Sequence, residues 1–352
     1  MSLKEKTLII LTPGFPESET DSTCLPMQQN LVRSLKEIYP QLNIVVLSFQ
    51  YPYFKREYKW FDATVISFDG RNKGGFSRLM LRQKLYSVLK KINLQNEIIG
   101  LLSFWCGECA LVGKRFADKH GLKHFCWILG QDAKKENKYA KRIQPKAGEL
   151  IALSDFLQDE FERGHGIRPR HLIPAAIDER QFNAAINKKD IDILGAGSLI
   201  PLKQYDIFIE TIAEIKKQMP AVKAILVGGG PEEYGLQNII NEYKLQGTVA
   251  LSGELPHHEL LQLMQRSKLF LHPSSYEGFS GVCLEALYAG AHVISFCKAM
   301  YHPINHWHIV NTKKEMKQTA LEILQNPQSE YQSVIVFKMD DIAKRMMNLF
   351  DT

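Results

Sequence analysis

The sequence predicts an α/β protein built from doubly wound parallel sheets in two domains, and three observations carry that reading. Short β-branched runs (LIIL, IVVL, AILV) are continuously apolar, as expected where helices cover both faces of a parallel sheet. Longer amphipathic stretches alternate with them; Ile207, Phe208, Thr211, Ile212 and Ile215 follow one stripe of a 3.6-residue period. The length, 352 residues, is that of two domains.

Taken in order, the runs predict strands at 7–12, 43–49, 98–104, 123–129 and 150–153, then a second series at 192–196, 224–227, 248–252, 269–272 and 292–296. Helical spacing predicts helices at 25–38, 110–120, 206–219, 259–267 and 282–289. The polar stretch 182–189 (FNAAINKK) lacks a hydrophobic stripe and reads as the linker, giving domains at 1–183 and 184–337. A last helix over 340–350, with the stripe Ile342, Met346, Leu349, follows a completed second sheet. The segment 338–352 is therefore expected to pack back on the first domain.

Composition narrows the function classes. Charged residues at 23% and hydrophobic ones at 45% fit a globular protein and exclude a disordered or fibrous one. No apolar run reaches the ~18–20 residues that span a bilayer, and the opening run reads as a strand and not as a signal peptide. Six cysteines, mostly inside apolar runs, suit a reducing compartment and a cytoplasmic protein. Residues 1–180 hold 28 Lys and Arg against 20 Asp and Glu, and the remainder 16 against 18, so the first half suits an anionic partner or a solvated lysine face.

The stretch 272–290, HPSSYEGFSGVCLEALYAG, carries the most chemistry. A strand ends at His272, a glycine-bearing loop follows, and a helix opens near Gly281 and Val282, where backbone N–H groups and aligned peptide dipoles favour a phosphate. Glu277 and Glu285 bracket this turn, and Glu285 can accept hydrogen bonds from sugar or ribose hydroxyls or simply complement the helix dipole.

This stretch resembles the Glu-x7-Glu signature of family 4 retaining glycosyltransferases, which have the GT-B architecture of two Rossmann-like domains facing across a cleft. GAGSLIPLKQYDIFIETI is similar to that family's first C-domain strand, phosphate turn and helix, and VGGGPEE to its second strand and glycine turn. VALSGELPHHELLQLMQRSKLFLHPS resembles the segment that frames the nucleotide base, IPAAIDERQF the lead-in to the linker, and LTPGFPESETDSTCLP the N-terminal loop facing the cleft. The resemblance implies catalytic roles for Lys203 and Glu277. It implies donor binding by Gly14, Ser198, Gly253, Leu255, Phe279, Ser280, Gly281, Val282 and Glu285, and an acceptor-side role for Asp132. Lys203 falls on the diphosphate-binding lysine, while Ser198 stands where relatives usually hold an arginine, and Leu129 where they hold the histidine of His-Gly-x-Asp. The implied reaction moves a sugar from a nucleotide-diphosphate donor to a glycan or lipid-linked acceptor, with retention, in surface polysaccharide or lipopolysaccharide synthesis. No cofactor or metal is expected. The pair Asp190-x-Asp192 is the sole Asp-x-Asp pair of the metal-binding kind, and a lysine with a helix N-terminus can take the neutralising role of magnesium. Two other readings stay open: a catalytically impaired sugar-nucleotide or glycan-binding relative, and, from VGGGPEE, a nicotinamide-dependent oxidoreductase, although Pro231 interrupts the turn.

Three features lie outside the signature. WCGEC, at 105–109, follows a strand and opens a helix, the setting of a thioredoxin-type motif with Cys106 and Cys109; an incidental pair is the preferred reading. The helix over 78–92, with Arg78, Arg82, Lys84, Lys90 and Lys91, could dock peripherally on anionic headgroups at the inner membrane face, though a core-facing helix with a cationic outer side is preferred. Lys134, Lys135, Lys138, Lys141, Arg142 and Lys146 could receive a lipid diphosphate or acidic glycan. Nucleic acid is not expected, since interleaved aromatics are lacking.

Overall fold

A computed structural model describes residues 4–182 and 188–351, which form two compact units, one of 4–175 with 339–351 and the other of the described residues between 176 and 338. In chain order the first unit comprises β1 (Lys6–Gly14), α1 (Pro26–Ile38), β2 (Asn43–Tyr51), β3 (Glu57–Trp60), β4 (Ala63–Ser67), α2 (Gly75–Gln95), β5 (Glu97–Phe104), α3 (Glu108–His120), β6 (His124–Ile128), α4 (Lys138–Ile143), β7 (Leu150–Ala152), α5 (Asp155–His165) and β8 (His171–Leu172). The second holds β9 (Ile191–Ala196), α6 (Tyr205–Lys216), β10 (Ala224–Val227), α7 (Glu233–Glu242), β11 (Val249–Leu251), α8 (His257–Arg266), β12 (Ser267–His272), α9 (Gly281–Tyr288), β13 (His292–Ser295), β14 (Trp307–Ile309) and α10 (Lys313–Gln325). The final helix, α11 (Met339–Asp351), belongs to the first unit.

The first sheet has eight strands in the order β3-β4-β2-β1-β5-β6-β7-β8, parallel except for β3. The second has six parallel strands in the order β11-β10-β9-β12-β13-β14. In both, strand order reverses beside the unit's first strand, which is the doubly wound arrangement. Every strand predicted from an apolar run is present. The sequence reading omitted β3, β4, β8 and β14, which are short or lie at sheet edges where burial imposes no continuous apolar run.

Helix α11 packs on α1, where the Ser34 hydroxyl donates to Asp340 Oδ1 at 2.7 Å. Its Phe350 meets Phe125 edge-on at 5.1 Å and lies over Gly100, where a Cβ would sit 2.4 Å from the Phe350 ring. The compact division falls after Ala175 and not after residue 183. Ile177 bridges Lys338 and Phe182 packs on Tyr288, so 176–182 is tied to the second unit. Of the expected linker at 182–189, residues 183–187 lie outside the described residues. Among the described residues no helix is long and apolar enough to cross a membrane.

Candidate functional site

Ligands of doubly wound sheets bind beyond the carboxyl ends of the strands where the order reverses. In the second unit that point lies between β9 and β12, and the loops leaving these two strands carry Lys203 and Glu277. Lys203 ends a single 3₁₀ turn, Pro201–Lys203, immediately before α6. Its ammonium donates to Glu277 Oε1, which also accepts from His272 Nε2 at 2.9 Å. Burial alone would raise the Glu277 carboxyl, but the hydrogen bond from His272 and the Lys203 charge prevail and hold it at about 2. His272 is buried, which lowers it below the ordinary imidazole range despite Glu277. The site therefore presents one ionised carboxylate and one ammonium in contact.

Three backbone turns stack beside this pair. Gly197 N–H donates to Val227 C=O at 3.0 Å, Leu199 N–H to Gly229 C=O at 2.8 Å, and Gly228 N–H to Gly253 C=O at 2.9 Å. A Cβ on Gly228 would lie 1.9 Å from the Gly197 carbonyl oxygen, and its φ of 145° is one that glycine alone adopts readily. The glycines of VGGGPEE thus serve backbone packing and do not open a dinucleotide-binding helix. Ser198 is exposed at the tip of the first turn, and Leu255 is half-buried beyond the third.

The predicted phosphate loop divides in two. Ser280 caps α9 by backbone position, with its hydroxyl 3.3 Å from His272 Nε2, and the helix start leaves the N–H groups of Gly281 and Val282 without intrahelical acceptors. Phe279 instead turns inward, edge-on to Trp307 at 5.9 Å and Phe337 at 6.1 Å, so its backbone and not its ring is offered to a ligand. Glu285, on the second turn of α9, accepts from His257 Nε2 at 2.9 Å. Neither histidine was singled out from sequence. His272 stands at the head of the signature stretch, whereas nothing sequential marks His257, 28 residues from its partner.

Gly14 and Asp132 belong to the first unit. Gly14 is buried against Tyr51 and Cys24, and its carbonyl accepts from Thr12 Oγ1 at 2.7 Å. Both Asp132 oxygens are committed: Oδ2 accepts from Cys106 N–H at 2.7 Å, and Oδ1 from the N–H groups of Leu129 and Gly130 at 3.2 and 2.8 Å. Burial raises this carboxyl while the amides oppose the shift. Asp132 therefore braces the loops after β5 and β6.

The remaining motifs resolve by packing. Cys106 and Cys109 are free and buried, and burial with the Glu108 charge pushes the Cys109 thiol well above its ordinary range. Arg82 donates to Glu108 at 2.6 Å with Arg78 3.7 Å away, so two cations of the 78–92 segment share one carboxylate within the fold. Asp190 pairs with Arg266 through two 2.8 Å hydrogen bonds and Asp192 with Lys268 at 2.8 Å. Among the described residues no group of three or more His, Cys, Asp or Glu gathers as a metal site.

Residues 176–328 match the family described as glycosyl transferases group 1. The gpi3 subunit of phosphatidylinositol N-acetylglucosaminyltransferase from Schizosaccharomyces pombe is 28% identical over 203 residues, 56% of this chain and 44% of that protein. The putative colanic acid biosynthesis glycosyltransferase WcaL of Escherichia coli is 29% identical over 111 residues, 30% of this chain and 27% of that one. The chain thus spans less than half the length of these relatives. Among solved structures, Anabaena Alr3699/HepE in complex with UDP and glucose superimposes with a TM-score of 0.72 at 17% identity, covering 99% of this chain and 100% of that one. Residues 176–328 are thus similar to the glycosyl transferases group 1 family, and the two Rossmann-like domains have the GT-B fold.

Proposed function

We propose that the protein is a retaining glycosyltransferase that moves a sugar from a nucleotide-diphosphate donor to a glycan or lipid-linked acceptor in surface polysaccharide or lipopolysaccharide synthesis. The observation that carries this reading is the Lys203–Glu277 pair at the reversal point of the second sheet. As the glycosidic bond of the donor lengthens, negative charge grows on the departing diphosphate. Lys203 and the free N–H groups at the start of α9 stabilise that charge, and removing one such donor typically costs ~10²–10³ in rate. Glu277, ionised at neutral pH, orients the lysine and can accept from a sugar hydroxyl; Glu285 accepts from the ribose. The acceptor hydroxyl enters on the face the diphosphate leaves, its oxygen bonding to the anomeric carbon as its proton passes to the departing diphosphate oxygen, which gives retention without a protein nucleophile. The names of the fission-yeast and E. coli relatives, and the UDP in the Anabaena structure, support a nucleotide-sugar donor and a lipid or glycan acceptor.

No metal is needed in this scheme, because the lysine and helix N-terminus neutralise the diphosphate. We place the reaction on the cytoplasmic side, in keeping with the free cysteines. Peripheral contact with an anionic membrane is carried by the start of α2, where Phe76 is 76% and Leu79 52% exposed beside Lys73 and Lys84. A panel of nucleotide sugars, assayed for release of the nucleoside diphosphate with and without chelator, tests the scheme. Turnover of one donor that Lys203→Ala abolishes supports it; binding without turnover would indicate a sugar-nucleotide-binding protein, and dependence on magnesium would overturn the metal-free mechanism.

A further inference from the structure

Each glutamate of the signature pair has a histidine on one carboxylate oxygen. The His272 contact to Glu277 joins the end of β12 to the loop that follows it, but the second contact spans two helices: His257 opens α8 and Glu285 lies on α9. A carboxylate offers no hydrogen, so His257 Nε2 donates. Both side chains are mostly buried, with 14% and 17% of their surfaces exposed. Burial disfavours a charged His257, but the hydrogen bond and charge of Glu285 outweigh it and raise the imidazole above its ordinary range. The contact uses Oε1 of Glu285; Oε2 has no protein partner among the described residues.

We infer that His257 is a positioning residue that holds Glu285 in one rotamer with Oε2 presented to the ribose hydroxyls of the donor nucleotide. The inference rests on the reading of Glu285 as the ribose acceptor. A free glutamate side chain samples several rotamers and loses that freedom on binding, whereas a clamped one is ordered before the nucleotide arrives. Because the clamp occupies one oxygen only, the carboxylate keeps its acceptor capacity toward a diol.

Calorimetric titration of the full chain with UDP, GDP and ADP identifies the tightest ligand, which is then compared with its 2′-deoxy counterpart. The wild-type protein is expected to prefer the ribonucleotide about tenfold, the size of one hydrogen bond. His257→Ala should lose most of that preference while leaving the deoxynucleotide affinity unchanged. His257→Gln, whose amide can donate to the same oxygen, should retain it. If alanine leaves the domain unfolded, His257→Leu fills the space without a donor and takes its place. A preference abolished by Glu285→Gln but intact in His257→Ala overturns the inference and leaves the role of Glu285 standing. Equal weakening of both nucleotides by His257→Ala shows a purely structural residue and also overturns it. Absence of any ribose preference in the wild-type protein, or of binding to all three nucleotides, overturns the reading of Glu285 and the inference with it.

Discussion

Replacing Lys203 with methionine should remove one of the two side chains that hold the buried Glu277 carboxylate ionised. Glu277 sits at about 2 against an ordinary 4.5, and that difference corresponds to about 3 kcal/mol in favour of the ionised form. Its side chain is only 16% exposed, so solvent screening takes little from this figure. A group with a depressed folded-state value stabilises the fold above its unfolded value and loses that contribution as pH falls through the folded one. The wild-type contribution is therefore complete above pH ~4.5 and fades toward pH 2. In Lys203→Met the lysine charge and its hydrogen bond are gone while the His272 hydrogen bond remains, so burial counts for more and Glu277 takes up a proton at higher pH than in the wild type. The variant should be less stable by about 2–3 kcal/mol at pH 7, and the gap to wild type should narrow steadily as the pH is lowered to 4. Urea denaturation measures this, followed by the fluorescence of a form in which Trp60, Trp105 and Trp127 are replaced by phenylalanine, leaving Trp307, which packs on Phe279 in the same unit, as the reporter. A gap that is the same at pH 7 and pH 4 would refute the reasoning, because lost packing of the lysine stem has no such pH dependence.

Three further outcomes follow from the site. Gly228→Ala places a Cβ 1.9 Å from the Gly197 carbonyl oxygen, and should cost about 3 kcal/mol or more; a wild-type thermal melt would show that the turns yield. Asp132→Asn removes the charge that three backbone amides share and should cost about 1–3 kcal/mol in urea titrations, with faster amide exchange at Cys106 and Gly130; unchanged stability with lost acceptor binding would assign the residue to the acceptor instead. Ser198→Arg adds a cation at the exposed tip of the first turn and should raise turnover up to ~10²-fold; no gain in diphosphate affinity or in rate would mean that the tip does not face the phosphates.

The apolar runs of β1, β2, β5, β9, β10 and β12 announced both sheets, because a strand covered on two faces must be continuously apolar. The spacing of Glu277 and Glu285 around a glycine-rich helix start likewise marked the candidate site, since a strand–loop–helix turn is local in the chain. Strand β3 and the edge strand β14 escaped detection, as four- and three-residue segments carry too little periodicity to declare themselves. Tertiary packing alone decided the charge state of Glu277, the bracing role of Asp132, the inward turn of Arg82 toward Glu108, and the meeting of His257 with Glu285. Those outcomes depend on which helices and loops become neighbours across a sheet, and on how far burial removes water from a charge. Local composition fixes where a carboxylate can stand; only the folded chain brings the cation, imidazole or amide that determines what it does.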